Sequence, residues 1–410
     1  MSESNRTQEE NQLEALSIEE ILHFGAREML AKALEAEVQH YLDRYADMRT
    51  TDRKQAVTRN GYHKQRTLST CHGPLTVCVP RTRSRQEGIE AFASALVPRY
   101  MRKTLEFEDA LPVFYLGGLS NGDFVPCFEK LFGEKTAGLS SASISRLKKI
   151  WLKEIDEWRR RDLNLSQYCY LWVDGIHFNL RLEEDRLCVL VVIGARENGR
   201  KELVAVVGGY RESTESWRGL LRDLKQQGMP SPKLCIGDGA LGFWKAIADV
   251  YPQADHQRCW VHKTSNILDK MPKSVQPRAK ALIHDIYRAE TEKEARKAYR
   301  EFQDSYSAKY PAAVKCLTKD EDKLFTFFKY PAEHWQHIRS TNVIESTFAT
   351  VRLRTKKTRG HGTLNMTLAM VFKLAERASM RWRRLRGYKL IGKVIEGVIF
   401  KDGKEEKLAA

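Results

Sequence analysis

The chain has 410 residues, a formal net charge of +16, 42% hydrophobic and 30% charged residues. That composition excludes a disordered or collagen-like chain, and the length suits about two to three domains whose cores need no disulfide or metal staple. The basic surplus points to an anionic partner, with nucleic acid first. It is unevenly placed: residues 1–48 carry a net −7, residues 49–85 a net +8 and residues 352–389 a net +11.

Eight cysteines form no Cys-x-x-Cys pair, and several lie in apolar runs, where Cys acts as a small core residue. This predicts a reducing compartment. The polar, acidic start is unlike a signal peptide. The longest apolar stretch, Leu187 to Ala195, is far short of the roughly 20 residues of a membrane helix. The expectation is a cytoplasmic protein with no membrane partner.

In chain order, residues 17–46 predict one acidic amphipathic helix, opened by a Ser17/Glu20 capping box. It suits either a dimerisation element or a helix packed on its own chain. Thr67–Thr70 and Leu75–Pro80 predict a hairpin turning near Gly73. Arg81, Arg83 and Arg85 leave its second strand together as candidate phosphate contacts. Residues 104–161 predict three helices, Glu106–Leu116, Asp123–Phe132 and Ser140–Arg161. The last two could form a helix-turn-helix presenting Ser143 and Arg146 to a DNA groove, or a plain helical bundle, since the Gly133–Leu139 link is longer than the usual turn.

From residue 167 the pattern changes to strands: Tyr168–Phe178, Leu187–Gly194 and Leu203–Val207. Then follow helix Glu215–Gln227, strand Lys233–Ile236, helix Leu241–Val250 and strand Arg258–Val261. This predicts an α/β mixed sheet opening with a meander. Residues 275–335 read as helical, and a further helix begins near Thr341. The divisions expected are 1–48, an acidic helix; 49–86, a basic hairpin unit; 87–162, a helical DNA-binding unit; 163–390, a catalytic domain with a helical insertion about 270–338; and 391–410, a tail.

Three carboxylates stand out. Asp174 ends the apolar run Tyr170-Leu171-Trp172-Val173, and Asp238 ends Leu234-Cys235-Ile236-Gly237; each is followed by glycine. A carboxylate at the end of a buried strand is costly unless paired or bound to a cation, and strand ends at sheet crevices are where α/β proteins bind ligands. Glu345 lies beside the apolar face Ile344, Phe348 and Val351 of the late helix, which runs on into Arg352, Arg354, Lys356, Lys357 and Arg359, suited to holding phosphates. Three converging carboxylates suit hard divalent cations, and two such ions clamp the attacking and leaving oxygens of a phosphodiester. Cys259-x-x-His262 is half of a zinc pattern without a second half; a buried Cys beside a His that bonds a carboxylate is the simpler role. His177 reads as substrate-facing or supporting. Trp335 suits either base stacking or the core of the insertion.

Asn60-Gly61-Tyr62, Val79-Pro80-Arg81, Val173-Asp174-Gly175, Gly237-Asp238-Gly239-Ala240, Cys259 with His262, and Asn342 to Phe348 followed by basic residues occur in one order. In this order the chain resembles the Mutator-like transposases of bacterial insertion sequences. The resemblance implies a ribonuclease H-like fold with a helical insertion before the last carboxylate, and an Asp174–Asp238–Glu345 triad binding two Mg²⁺ ions, with Mn²⁺ able to substitute. It makes Cys259 and His262 a signature near the active site. It also implies cleavage at the element's terminal inverted repeats, strand transfer into target DNA, and a homo-oligomer that joins two ends. A metal-dependent nuclease of the same fold without strand transfer, and a DNA-binding protein without catalysis, are the alternatives the residues leave open.

Overall fold

A computed structural model of the chain describes residues 17–119, 123–132, 141–179, 186–209, 212–239, 241–358 and 363–406. It divides into two units, residues 1–147 and 148–410.

In the first unit, Ser17 and Glu20 exchange side-chain and backbone hydrogen bonds in a capping box that starts α1, Ile18–Asp43. Four short strands follow: β1, Val57–Tyr62; β2, Arg66–Thr70; β3, Gly73–Val77; and β4, Pro80–Ser84. The expected hairpin is β2–β3, with Thr70 opposite Gly73. A second antiparallel pair, β1–β4, was not foreseen. Arg81 and Arg83 therefore lie inside a strand, exposed on either side of the buried Thr82, rather than after one. The pairing sets Tyr62 opposite Pro80 and so joins two of the sequence pieces noted above. Helix α1 packs on this unit through Leu34 and Val38, against Leu68, Val77, Val79, Phe92 and Val97. Helices α2, Leu105–Gly117, and α3, Phe124–Phe132, share an aromatic core of Phe107, Phe124 and Phe128. Helix α4 spans Ser141–Arg159. The link at 133–140 lies outside the described residues, as does the side chain of Ser143 on α4; Arg146 is exposed there.

The second unit holds β5, Tyr168–Asn179; β6, Arg186–Arg196; β7, Lys201–Gly209; α5, Thr214–Gln226; β8, Leu234–Gly237; α6, Leu241–Val250; and β9, Asp255–Arg258. The sheet order is β7-β6-β5-β8-β9. The first three strands are antiparallel, and β8 and β9 run parallel to β5. This mixed five-stranded sheet with its crossover helices is the ribonuclease H-like arrangement. The fully buried runs of β5 and β6 carry apolar side chains on both faces, as a covered sheet requires. Leu171 and Val173 face α5 and α6, where Trp217, Leu221, Phe243 and Ile247 complete the core.

The alternate residues face the other layer: Trp172 Nε1 donates to the His337 carbonyl at 2.9 Å, and the Tyr170 hydroxyl lies 2.6 Å from His334 Nδ1. After β9 the chain runs through α7, Trp260–Leu268; α8, Gln276–Arg288; α9, Glu292–Tyr306; α10, Pro311–Thr318; α11, Trp335–Ile338; α12, Asn342–Thr358; and α13, Leu364–Ser379. The strand expected at Arg258–Val261 is corrected: β9 ends at Arg258, Cys259 is the N-cap of α7, and Trp260 is buried on that helix. A short apolar run does not by itself distinguish a strand from a buried helical turn. Trp335 is core rather than a base-stacking platform; it is 9% exposed and packs edge-on against Phe327 and Phe328. Residues 391–406 continue the fold with α14, Ile391–Glu396, and the small pair β10, Phe400–Lys401, and β11, Lys404–Glu405. The Ala332 amide donates to the Gly403 carbonyl at 3.1 Å, pinning this segment to the insertion. No helix among the described residues is long and apolar enough to cross a membrane.

Candidate active site where strand β8 ends beside β5

Strand β5 does not stop at Asp174 but continues to Asn179. What stops is its neighbour. Tyr170, Leu171 and Trp172 pair with Leu234, Cys235 and Ile236, and β8 ends at Gly237. Continued one pair beyond Val173 and Gly237, that register sets Asp174 beside Asp238. The chain turns away there at Gly239, whose φ of +90° suits glycine. A Cβ at residue 239 would collide with the Arg258 guanidinium, which fills the space under the turn.

Asp174 lies on the face of β5 that carries Trp172 and Tyr170. Burial, and then the charge of Asp238, push its carboxyl up to about 7. The Gly175 amide, donating to Asp174 Oδ1 at 2.8 Å, and the His262 charge oppose that rise.

Glu345 sits in the first turn of α12. Ile344, Phe348 and Val351 are fully buried, so the helix orientation is set by its apolar stripe. Glu345 Oε1 lies 3.1 Å from Thr341 Oγ1 and 3.6 Å from His262 Nε2. Thr341 also reaches Cys259: its amide and its hydroxyl each lie 3.3 Å from the sulfur. The Cys259, His262 and Glu345 donor atoms all fall within 4.8 Å of one another. The Cys259 hydrogen bond, ahead of the opposing effect of burial, raises His262 to about 9, and the charges of Cys259, Asp174 and Glu345 add to this. Burial works against the Cys259 anion, but the His262 contacts hold the thiol below its ordinary value. The imidazolium thus stands within reach of both the Asp174 and Glu345 charges.

A fourth carboxylate, Glu212, escaped the sequence reading. It lies just before Ser213, the N-cap of α5, where an acidic residue passes for a helix-start preference. Its carboxylate lies across Gly175, at a place where any Cβ would collide with it. Burial, and then Asp238, raise its pKa, and His177 opposes the rise. His177 Nε2 is 3.4 Å from Glu212 Oε1.

Of the basic residues singled out, Arg81, Arg83 and Arg85 are exposed in the first unit. With the Asn60 amide turned to satisfy both groups, its oxygen accepts from Arg81 Nη2 at 2.9 Å. Arg352 is exposed on α12, with its guanidinium 5.8 Å from the Phe348 ring centre. Arg354, Lys356 and Lys357 also lie on α12; their side chains, and Arg359 altogether, are outside the described residues.

A mixed sheet of this order, with carboxylates gathered where β8 stops beside β5, is a ribonuclease H-like plan. The sequence matches the family described as "Transposase, Mutator family" over residues 1–384, and the chain belongs to that family. It is 51% identical, over 72% of its length and 91% of the relative's, to the transposase for insertion sequence element IS6120 of Mycolicibacterium smegmatis. It is 43% identical, over 67% of its length and 93% of the relative's, to the transposase for insertion sequence element IST2 of Acidithiobacillus ferrooxidans. The HTLV-2 integrase catalytic core domain, solved in complex with magnesium, overlaps 41% of this chain and 90% of that core at 11% identity, with a TM-score of 0.17. The fold assignment rests on strand order, not on that overlap.

Proposed function

We propose that the chain binds the terminal inverted repeats of its insertion sequence, cuts a strand at the element end and joins the freed 3′-hydroxyl to target DNA. Asp174, Asp238 and Glu345 are its catalytic carboxylates. The observation that carries this reading is the register that sets Asp174 beside Asp238 at the open end of the sheet, with Glu345 reaching the same His262 from α12.

The donors fit a divalent cation. They are carboxylate oxygens, the kind Mg²⁺ prefers, and Asp174 is an acid that burial and a like charge keep from ionising at its ordinary pH. The His262 charge offsets only part of that repulsion, and a bound cation would offset more. When bound, two Mg²⁺ or Mn²⁺ ions supply Lewis acidity at the attacking and leaving oxygens of the phosphodiester. The chain's own work is positioning and charge balance. Strand β5 fixes Asp174 rigidly, Gly239 turns the backbone away behind Asp238, and the buried stripe of α12 aims Glu345. Thr341 and His262 hold the Glu345 carboxylate. Arg352 and the basic residues after it line the continuation of α12 and hold DNA phosphates near the carboxylates, while Arg81, Arg83 and Arg85, with Arg146 and Ser143 of α4, serve the terminal repeats. Two element ends must be brought together for joining, so a homo-oligomer is the working form.

The test uses purified protein, Mg²⁺ and duplexes bearing the element ends, with Asp174→Asn, Asp238→Asn and Glu345→Gln alongside. Nicked and joined products from the wild type alone are expected. Nicks without joined products would favour a nuclease; equal products from wild type and Asp174→Asn would remove the triad assignment.

A further inference from the structure

Two histidine–glutamate pairs flank the Asp174–Asp238 end of the sheet. His262–Glu345 is half-buried on the α12 side, with side chains 34% and 31% exposed. The other, His177–Glu212, lies on the α5 side and is unequal: the imidazole is 55% exposed and its carboxylate partner only 20%. We propose that His177 is a substrate-contacting residue, touching a phosphate oxygen of the DNA strand beside the scissile bond, and that Glu212 is the residue that positions it. This rests on the transposase reading given above.

Glu212 is held from two sides. Its carboxylate lies over Gly175 on β5, where only the absence of a Cβ makes room. Its backbone packs on Gly242 at the start of α6, where a Cβ would strike the Glu212 carbonyl and the Thr214 amide. Gly175 thus makes room for the glutamate side chain, and Gly242 for the backbone that presents it. A surface acid that merely favours a helix start needs no such accommodation. The result is a carboxylate fixed against the sheet with an exposed imidazole as its partner.

Gly175 and His177 share one face of β5, two residues apart, so Glu212 spans both. His177 follows Asp174 by three residues on the same strand and so lies on the opposite face of β5, and Glu212, which feels the Asp238 charge, links it to the site. A carboxylate on one ring nitrogen fixes the ring orientation and leaves the other nitrogen facing outward. In the protonated ring both nitrogens donate, Nε2 to Glu212 and Nδ1 to a phosphate oxygen. Cys188, paired with His177 across β5–β6, completes a group whose donor atoms lie within 4.8 Å of one another. Burial, ahead of the charges of Glu212 and Asp174, pushes its thiol up to about 12. Without a bound ion it stands as a neutral thiol beneath the His177–Glu212 pair.

The experiment measures single-turnover cleavage of an element-end duplex in Mg²⁺, and DNA affinity without metal, for wild type, His177→Ala, Glu212→Gln, the double variant and Asp174→Asn. His177→Ala is expected to slow cleavage about tenfold and to loosen DNA binding by about threefold, the scale of one charge-assisted hydrogen bond. Added imidazole should restore part of the His177→Ala rate and none of the Asp174→Asn rate. Glu212→Gln should slow cleavage similarly, and the double variant should be no slower than His177→Ala, because Glu212 acts through His177. Wild-type rate and affinity in His177→Ala, or no response of that variant to imidazole, would overturn the substrate contact. Additive losses in the double variant would overturn the positioning role. If Glu212→Gln does not fold, the imidazole response of His177→Ala carries the test. Failure of the transposase reading looks different: Asp174→Asn would cut as well as the wild type, or neither would cut, and DNA affinity would still report on His177.

Discussion

His262 Nε2 lies 3.6 Å from Glu345 Oε1, while the same side chain bonds Cys259 at the start of α7. The Cys-x-x-His segment, on a helix next to the sheet, is therefore tied to the late helix that carries the third carboxylate. Thr341 closes the link, with its hydroxyl near Cys259, His262 and Glu345 together.

This arrangement predicts an unusual titration. The raised His262 pKa means that its contribution to stability is fully present below the ordinary 6.5 and is lost as pH rises through about 9. Ring resonances of His262 should titrate near 9 in the wild type and move toward 6.5 in Cys259→Ala. An unchanged midpoint in that variant would remove Cys259 as the cause.

Asp174 runs against the habit of paired carboxylates, whose pKa usually falls on folding. An acid raised from 3.8 to about 7 keeps its proton in the folded state after the unfolded chain has lost it. Metal-free protein should therefore lose stability as pH rises from about 4 to 7, by on the order of 2–4 kcal/mol. Asp174→Asn should flatten that slope, and Mg²⁺ should restore wild-type stability near pH 7 without helping the variant. Thermal melts across pH, with and without Mg²⁺, check both statements.

The basic strand β4 should set the salt response. Replacing Arg81, Arg83 and Arg85 together by Ala should weaken binding to any duplex and lower the slope of log K against log salt by about 2.7, near 0.9 for each phosphate left without its arginine. Fluorescence anisotropy at several salt concentrations measures it. An unchanged slope would take DNA away from this strand.

Trp335→Ala tests a structural assignment. The ring packs on Phe327 and Phe328, and its Nε1 donates to the Tyr330 carbonyl at 2.8 Å. Removing it should cost about 3–5 kcal/mol of folding stability. Denaturant unfolding would show the drop, and Trp335→Phe should recover much of it. Full stability with impaired DNA binding would return Trp335 to a base-stacking role.

Much of the fold was legible because its strands are long apolar runs and its helices carry clear stripes. The capping box at Ser17 and the apolar face of α12 are written in adjacent residues. The β1–β4 pair was not legible: Arg-Thr-Arg has the polar alternation of a strand with one buried face, but also the composition of a linker. Arg258–Val261 misled because Cys259-Trp260-Val261 is equally apolar as a strand or as a helical turn. At the site, Asp174 and Asp238 were marked by the glycines that follow them. Glu212 was not, since its signal lies in Gly175 and Gly242, which are distant in sequence and meet it only in the fold.

The most direct measurement is the anomalous difference map of crystals soaked in Mn²⁺. The account predicts two peaks about 3.5–4 Å apart, contacted by carboxylate oxygens of Asp174, Asp238 and Glu345. Peaks held elsewhere, or Glu345 turned away from both aspartates with manganese bound, would contradict it.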